Sequence, residues 1–136
     1  MNLPIEAYFI QGFHGLVYGM LIFLVASGLT IVFGMMGVLN FAHASFYMIG
    51  AFIAYTVTVH LGNFWLSLVI SPIIVGAMGI VIERFLLRKT YKMGPEAQLL
   101  LTFGLLFILN ELVRIIWGSS VLSVETPALL SGDIQL

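Results

Sequence analysis

Two constellations of polar residues stand out in a sequence that is otherwise almost wholly apolar. The first is Asn40 and His43, three positions apart within "GLTIVFGMMGVLNFAHASFYMIG", residues 28–50, with Ser45 and Tyr47 close by in sequence. On a helix that spacing puts both side chains on one face. There they could clamp a neighbouring helix by hydrogen bonds or line a path for a polar solute. The second is Glu111 and Arg114, also three apart, at the spacing of an ion pair. Glu111 lies six residues before Trp117, about 9 Å along a helix at 1.5 Å per residue. A charge held at that depth in a membrane needs a partner, and Arg114 can also reach outward to the surface.

Other chemistry is poorly served. His14, His43 and His60 share no ligand spacing, and the chain has no cysteine, so neither a metal site nor a disulfide framework is expected. No nucleophile–base motif, phosphate-binding loop or intramembrane protease signature occurs. A net charge of −1 gives nucleic acid no purchase. The chain is therefore not expected to be an enzyme, and catalysis by His43 and Glu111 would want a third group that the sequence does not offer.

The elements that must hold these residues follow from composition. The chain has 136 residues, of which 61% are hydrophobic and 8% charged, against about 25% charged in a soluble domain. Its mean hydropathy is +1.14. Residues 7–82 contain no Asp, Glu, Lys or Arg. A membrane helix needs about 20 apolar residues, so this run can cross a bilayer three times. The apolar stretches are continuous rather than alternating, which excludes a transmembrane barrel and leaves helices that satisfy their own backbone. The expectation is an all-α integral membrane protein in one domain, 1–136. Four transmembrane helices are predicted at about 8–33, 44–59, 64–82 and 97–117, with a broken segment near 34–43. The N-terminus lacks a basic region, and its apolar run is longer than that of a signal peptide, so it reads as a retained helix.

Four of the five basic residues, Arg84, Arg88, Lys89 and Lys92, fall in the stretch 83–96, read as a cytoplasmic loop ending in Gly94-Pro95. The tail, 119–136, carries Glu125 and Asp133 with no Lys or Arg and is assigned to the outer side, as is the N-terminus. The same basic run also suits anionic lipid headgroups. Gly15 and Gly19 form a G-x-x-x-G, and Gly50 with Ala54 repeats that spacing, a pattern of helix packing. Gly34 and Gly37 flank the polar pair more closely. Glycine costs about 1 kcal/mol against alanine in a helix, so a break is expected there. Broken membrane helices occur where the freed backbone is buried in protein or faces a water-filled path.

The stretch 28–55 resembles the permease subunits of branched-chain amino acid ATP-binding cassette transporters and their urea-type relatives. The resemblance rests on Gly28-Leu29-Thr30, Phe33-Gly34, Asn40-Phe41-Ala42-His43, Tyr47-Met48 and Gly50-Ala51. "LLLTFGLLFILNELVRIIWG", 99–118, and "ETPALLSGDIQL", 125–136, look like the segments that follow in those permeases. One departure is Ala44, where the family has glycine after the histidine. Another is length: the sequence looks like an N-terminal half, without the later coupling helix that docks on the ATPase.

The resemblance implies an importer subunit of the inner or plasma membrane. Thr30, Asn40, His43 and Ser45 would be translocation-path candidates, and Gly28, Gly34, Gly37 and Gly50 structural or hinge positions. The partners implied are a second permease subunit, cytoplasmic ATPase subunits and a periplasmic or extracellular solute-binding protein. ATP would be bound by the partner, so no cofactor is expected in this chain. A membrane subunit that only packs against partners is the competing reading.

Overall fold

The computed structural model describes residues 5–119 and 122–124. Among them the secondary structure is helical, with no strand. Four helices are long and apolar enough to cross a membrane: α1, Ile5–Met36; α2, His43–Leu61; α3, Phe64–Thr90; and α4, Pro95–Trp117. The expected tail, 119–136, lies outside the described residues apart from Ser119 and 122–124, and with it Glu125 and Asp133.

The chain divides into two compact units, Met1–Asn40 and Phe41–Leu136. The first holds α1, which runs for 32 residues, longer than the expected 8–33. At 1.5 Å per residue that is about 48 Å, against a hydrocarbon core of about 30 Å. None of its residues is buried. Gly34, expected at the break, sits inside the helix. The helix ends instead at Gly37, whose φ of 65° is open to glycine at little cost. The Gly37 N–H still donates to the Phe33 carbonyl at 2.8 Å, closing the last turn. The interruption therefore covers 37–42 rather than 34–43.

The second unit contains α2, α3 and α4. Gly62, at φ 63°, caps α2 by donating its N–H to the Thr58 carbonyl at 2.9 Å. Asn63 then caps α3, its side chain accepting from the Leu66 N–H at 3.2 Å, as Asn does at helix starts. The "HLGN" turn is thus made by two residues with opposite tasks. Pro72 lies within α3 and removes one backbone donor there.

The end of α3 differs from the expectation. The helix does not stop at Ile82 where charge begins but continues through a π turn, Glu83–Leu87, and a final α turn, Arg88–Thr90. The stretch read as a loop, 83–96, is helical over its first eight residues. Only 91–94 form the connection, which ends at Gly94 (φ 99°) before Pro95 opens α4. The reason is that Glu, Arg, Leu and Lys are all good helix formers; leaving hydrocarbon gives the backbone no cause to unwind.

The core of this unit consists of Ala42, Ile49, Leu105, Leu109 and Val113, with Phe46, Phe52, Val75, Met78 and Trp117 packed around it. Ile49 on α2 and Leu105, Leu109 and Val113 on α4 recur at helical spacing and face one another.

Candidate functional site

In the first unit, the Thr30 hydroxyl donates to the Ala26 carbonyl at 2.8 Å, back onto its own helix, and its side chain is exposed. Gly28 is half-buried on α1, and a Cβ added at Gly34 would meet nothing within 4 Å. Asn40 is half-buried in the segment between α1 and α2. Since Asn40 is not on a helix, the shared helical face expected for Asn40 and His43 does not form; the turn opened by Gly37 removes the regular spacing on which that argument rested.

In the second unit, His43 is the first residue of α2 and half-buried. Two residues further on, Ser45 is 3% exposed and its hydroxyl donates to Asn110 Oδ1 on α4 at 3.2 Å. Near the other end of α2, Trp117 Nε1 donates to Thr56 Oγ1 at 2.7 Å, and that hydroxyl donates in turn to the Phe52 carbonyl at 2.9 Å. The Trp117 ring also tilts against Phe52 at 5.4 Å between centroids. These two bonds pin α2 to α4 on either side of the core residues Ile49 and Val113.

A third bond joins α2 to α3, the Ser71 hydroxyl donating to the Gly50 carbonyl at 2.6 Å. Gly50 allows this approach. A Cβ there would stand 3.6 Å from Val75 Cγ2 and 3.7 Å from Ser71 Oγ, in ordinary van der Waals contact with α3. Among the described residues, no buried side-chain nitrogen or oxygen lacks a partner. That completeness matters in hydrocarbon, where an unpaired polar group costs several kcal/mol.

Glu111 and Arg114 form an ion pair, Nη1 to Oε2 at 3.5 Å, with both side chains more than 60% exposed. The pair lies one residue from Asn110, but on the outer side of α4. Arg84, Arg88, Lys89 and Lys92 are all exposed, the first three on the end of α3. There the Tyr91 hydroxyl donates to Glu83 Oε1 at 3.3 Å. Burial first, and the Glu83 carboxylate second, raise the Tyr91 phenol above its ordinary range, against a smaller pull from Arg88.

The interhelical polar contacts of Asn110, Thr56 and Ser71 are not apparent from residue types alone. The signal is spacing: Ser45, Ile49, Phe52 and Thr56 fall at i, i+4, i+7 and i+11, one stripe of α2. Polar residues at both ends of an apolar stripe mark the face that meets protein.

A bundle of membrane-length helices tied by buried hydroxyl and amide bonds defines a multi-span helical membrane protein. Residues 12–133 match the family described as branched-chain amino acid transport system / permease component, and the chain belongs to that family. It is similar to the high-affinity branched-chain amino acid transport system permease protein LivH of Escherichia coli (strain K12), at 31% identity over 136 residues. The same identity holds for LivH of Salmonella typhimurium. The corresponding protein BraD of Pseudomonas aeruginosa is 31% identical over 135 residues. Each alignment covers 93% of this chain, but 44%, 44% and 43% of the relative. The chain thus spans less than half the length of the relatives it matches. No solved structure matches it. Family and helices together make this a multi-pass protein of the inner membrane.

Proposed function

We propose that this chain supplies part of the membrane path of an ATP-binding cassette importer for branched-chain amino acids. The observation that carries the proposal is the family match across 12–133, nearly the whole chain. Relatives named as branched-chain amino acid permease proteins support the substrate class. In this reading a solute-binding protein delivers the amino acid at the outer face. Cytoplasmic ATPase subunits bind and hydrolyse ATP, and a second permease subunit completes the path. The chain itself performs no catalysis. The α2–α4 face, closed by the Ser45–Asn110 bond, serves as a rigid wall; Asn40, in the segment before α2, and His43, the first residue of α2, are the candidates for meeting the solute.

The test deletes the coding sequence from its host and follows uptake of labelled leucine, isoleucine and valine, with urea for comparison. Loss of branched-chain uptake, restored by the native chain, is the expected result. Undiminished uptake removes the proposal, and selective loss of urea uptake transfers it to the urea-type relatives. In the restored strain, Asn40→Ala and His43→Ala are expected to lower uptake severalfold at unchanged protein level. Full uptake by both variants would reduce these residues to packing.

A further inference from the structure

An apolar groove of about 440 Å³ opens where the end of α3 meets the first half of α4. Leu86, Met93, Ala97, Leu101, Gly104 and Ile108 are among its lining residues. The volume is that of a small-molecule site rather than a packing defect. Its walls are almost wholly hydrocarbon, so a polar solute would find nothing to bind there.

Basic residues adjoin this lining in sequence. Lys89 directly precedes the lining residue Thr90, and Lys92 directly precedes Met93. Both lysines are exposed. Arg84 and Arg88 stand on the same last turns of α3. The acidic residues of this stretch are Glu83, which accepts from Tyr91, and Glu96, exposed in the first turn of α4. Four cations against two carboxylates leave 83–96 positive. In a protein of net charge −1, this end is where basic charge collects.

An apolar slot between two membrane-length helices, with exposed lysines next in sequence to its lining residues Thr90 and Met93, has the amphipathic order of one phospholipid. We propose that the groove holds an acyl chain of an anionic phospholipid, with its phosphate held by Lys89 and Lys92. Basic clusters next to membrane helices attract anionic headgroups at about 1 kcal/mol per cation, or about fivefold each. The π turn at Glu83–Leu87 lies where the helix carries these cations out of the apolar span, and places Leu86 and Thr90 along the groove. The occupant is a lipid rather than a polypeptide because exposed cations adjoin the lining residues, whereas the helix contacts elsewhere in this unit are closed by neutral hydroxyl and amide bonds.

The test uses the full chain, purified in detergent and equilibrated with equal amounts of phosphatidylglycerol and phosphatidylcholine of matched chain length. Retained lipid is counted by native mass spectrometry. The native chain is expected to keep phosphatidylglycerol in preference to phosphatidylcholine. Lys89→Gln with Lys92→Gln should reduce that preference about 25-fold, two charges at fivefold each. Gly104→Leu should abolish retention of both lipids by filling the slot. A Cβ at Gly104 meets nothing within 4 Å, so this variant has room to fold, and a thermal melt against the native chain confirms that it has. Equal retention of the two lipids by the native chain overturns the proposal, as does undiminished retention by folded Gly104→Leu. So does a photo-crosslinker at Ile108 that captures a protein segment in membranes instead of lipid.

Discussion

Helices α1 and α2 are both long enough to cross a bilayer, yet they differ in almost every other respect. α1 has 32 residues and none is buried; its hydroxyls, Ser27 and Thr30, donate back to the Leu24 and Ala26 carbonyls of the same helix. α2 has 19 residues and is the least apolar of the four, but it is bonded to α4 through Ser45 and Thr56 and to α3 through Gly50. In a soluble protein the more apolar helix would be the buried one. In a bilayer lipid is as apolar as leucine, so helix association depends on close packing and polar bonds instead. The contrast extends to glycine. The G-x-x-x-G of α1 is a familiar packing pattern, but a Cβ at Gly15 or Gly19 would meet nothing within 4 Å, whereas one at Gly50 would be in van der Waals contact with α3.

The comparison breaks most readily at the α2–α4 core. Leu109 is 3% exposed, and Leu109→Ala leaves a cavity that is expected to cost about 2–4 kcal/mol. Leu16→Ala on α1, where the side chain is 59% exposed, should cost less than about 0.5 kcal/mol. Unfolding of the detergent-solubilised chain by titration with a denaturing detergent measures both. Equal losses would mean that α1 is as firmly packed as α2. A smaller effect is expected from Gly50→Leu, which overpacks the α2–α3 contact by about 1–3 kcal/mol, while Gly34→Leu on α1 should be neutral or stabilising because the site is open and helical. Smaller again is Gly37→Ala. Its φ of 65° asks alanine to adopt the left-handed region, at about 1–2 kcal/mol. If Gly37→Ala instead stabilised the chain, α1 would have to continue through the interruption.

These contrasts mark where the sequence was informative. Membrane class and the first three helices were legible because 76 consecutive residues without charge admit few alternatives. The Gly94-Pro95 and "HLGN" turns were legible because their residues have specific backbone tasks. The end of α3 was not, because apolarity reports where hydrocarbon ends and not where the helix ends; Arg84, Arg88 and Lys89 continue the backbone geometry of Ile82. Nor could residue type choose between Gly34 and Gly37 as the break, since glycine permits both an ordinary helical turn and a positive φ. The ion pair of Glu111 and Arg114 followed from spacing within one helix. The bond between Ser45 and Asn110, 65 residues apart in sequence, depends on the register of two helices, which no local pattern encodes.

That bond gives the smallest expected effect and the sharpest test of the comparison. Ser45→Ala and Asn110→Leu each remove one partner of a contact between helices, and interhelical hydrogen bonds in membranes average about 0.6 kcal/mol. Each single change also alters packing, so only the double-mutant cycle isolates the pair. A coupling of about 0.6 kcal/mol is expected for Ser45 with Asn110, and none for Ser27 with Asn110, because the Ser27 hydroxyl is spent on its own helix. If the Ser45–Asn110 coupling were zero while Leu109→Ala remained costly, apolar shape alone would hold α2 to α4. The polar bonds would then select which face packs without strengthening the packing, and the low apolarity of α2 would be a matter of register rather than of stability.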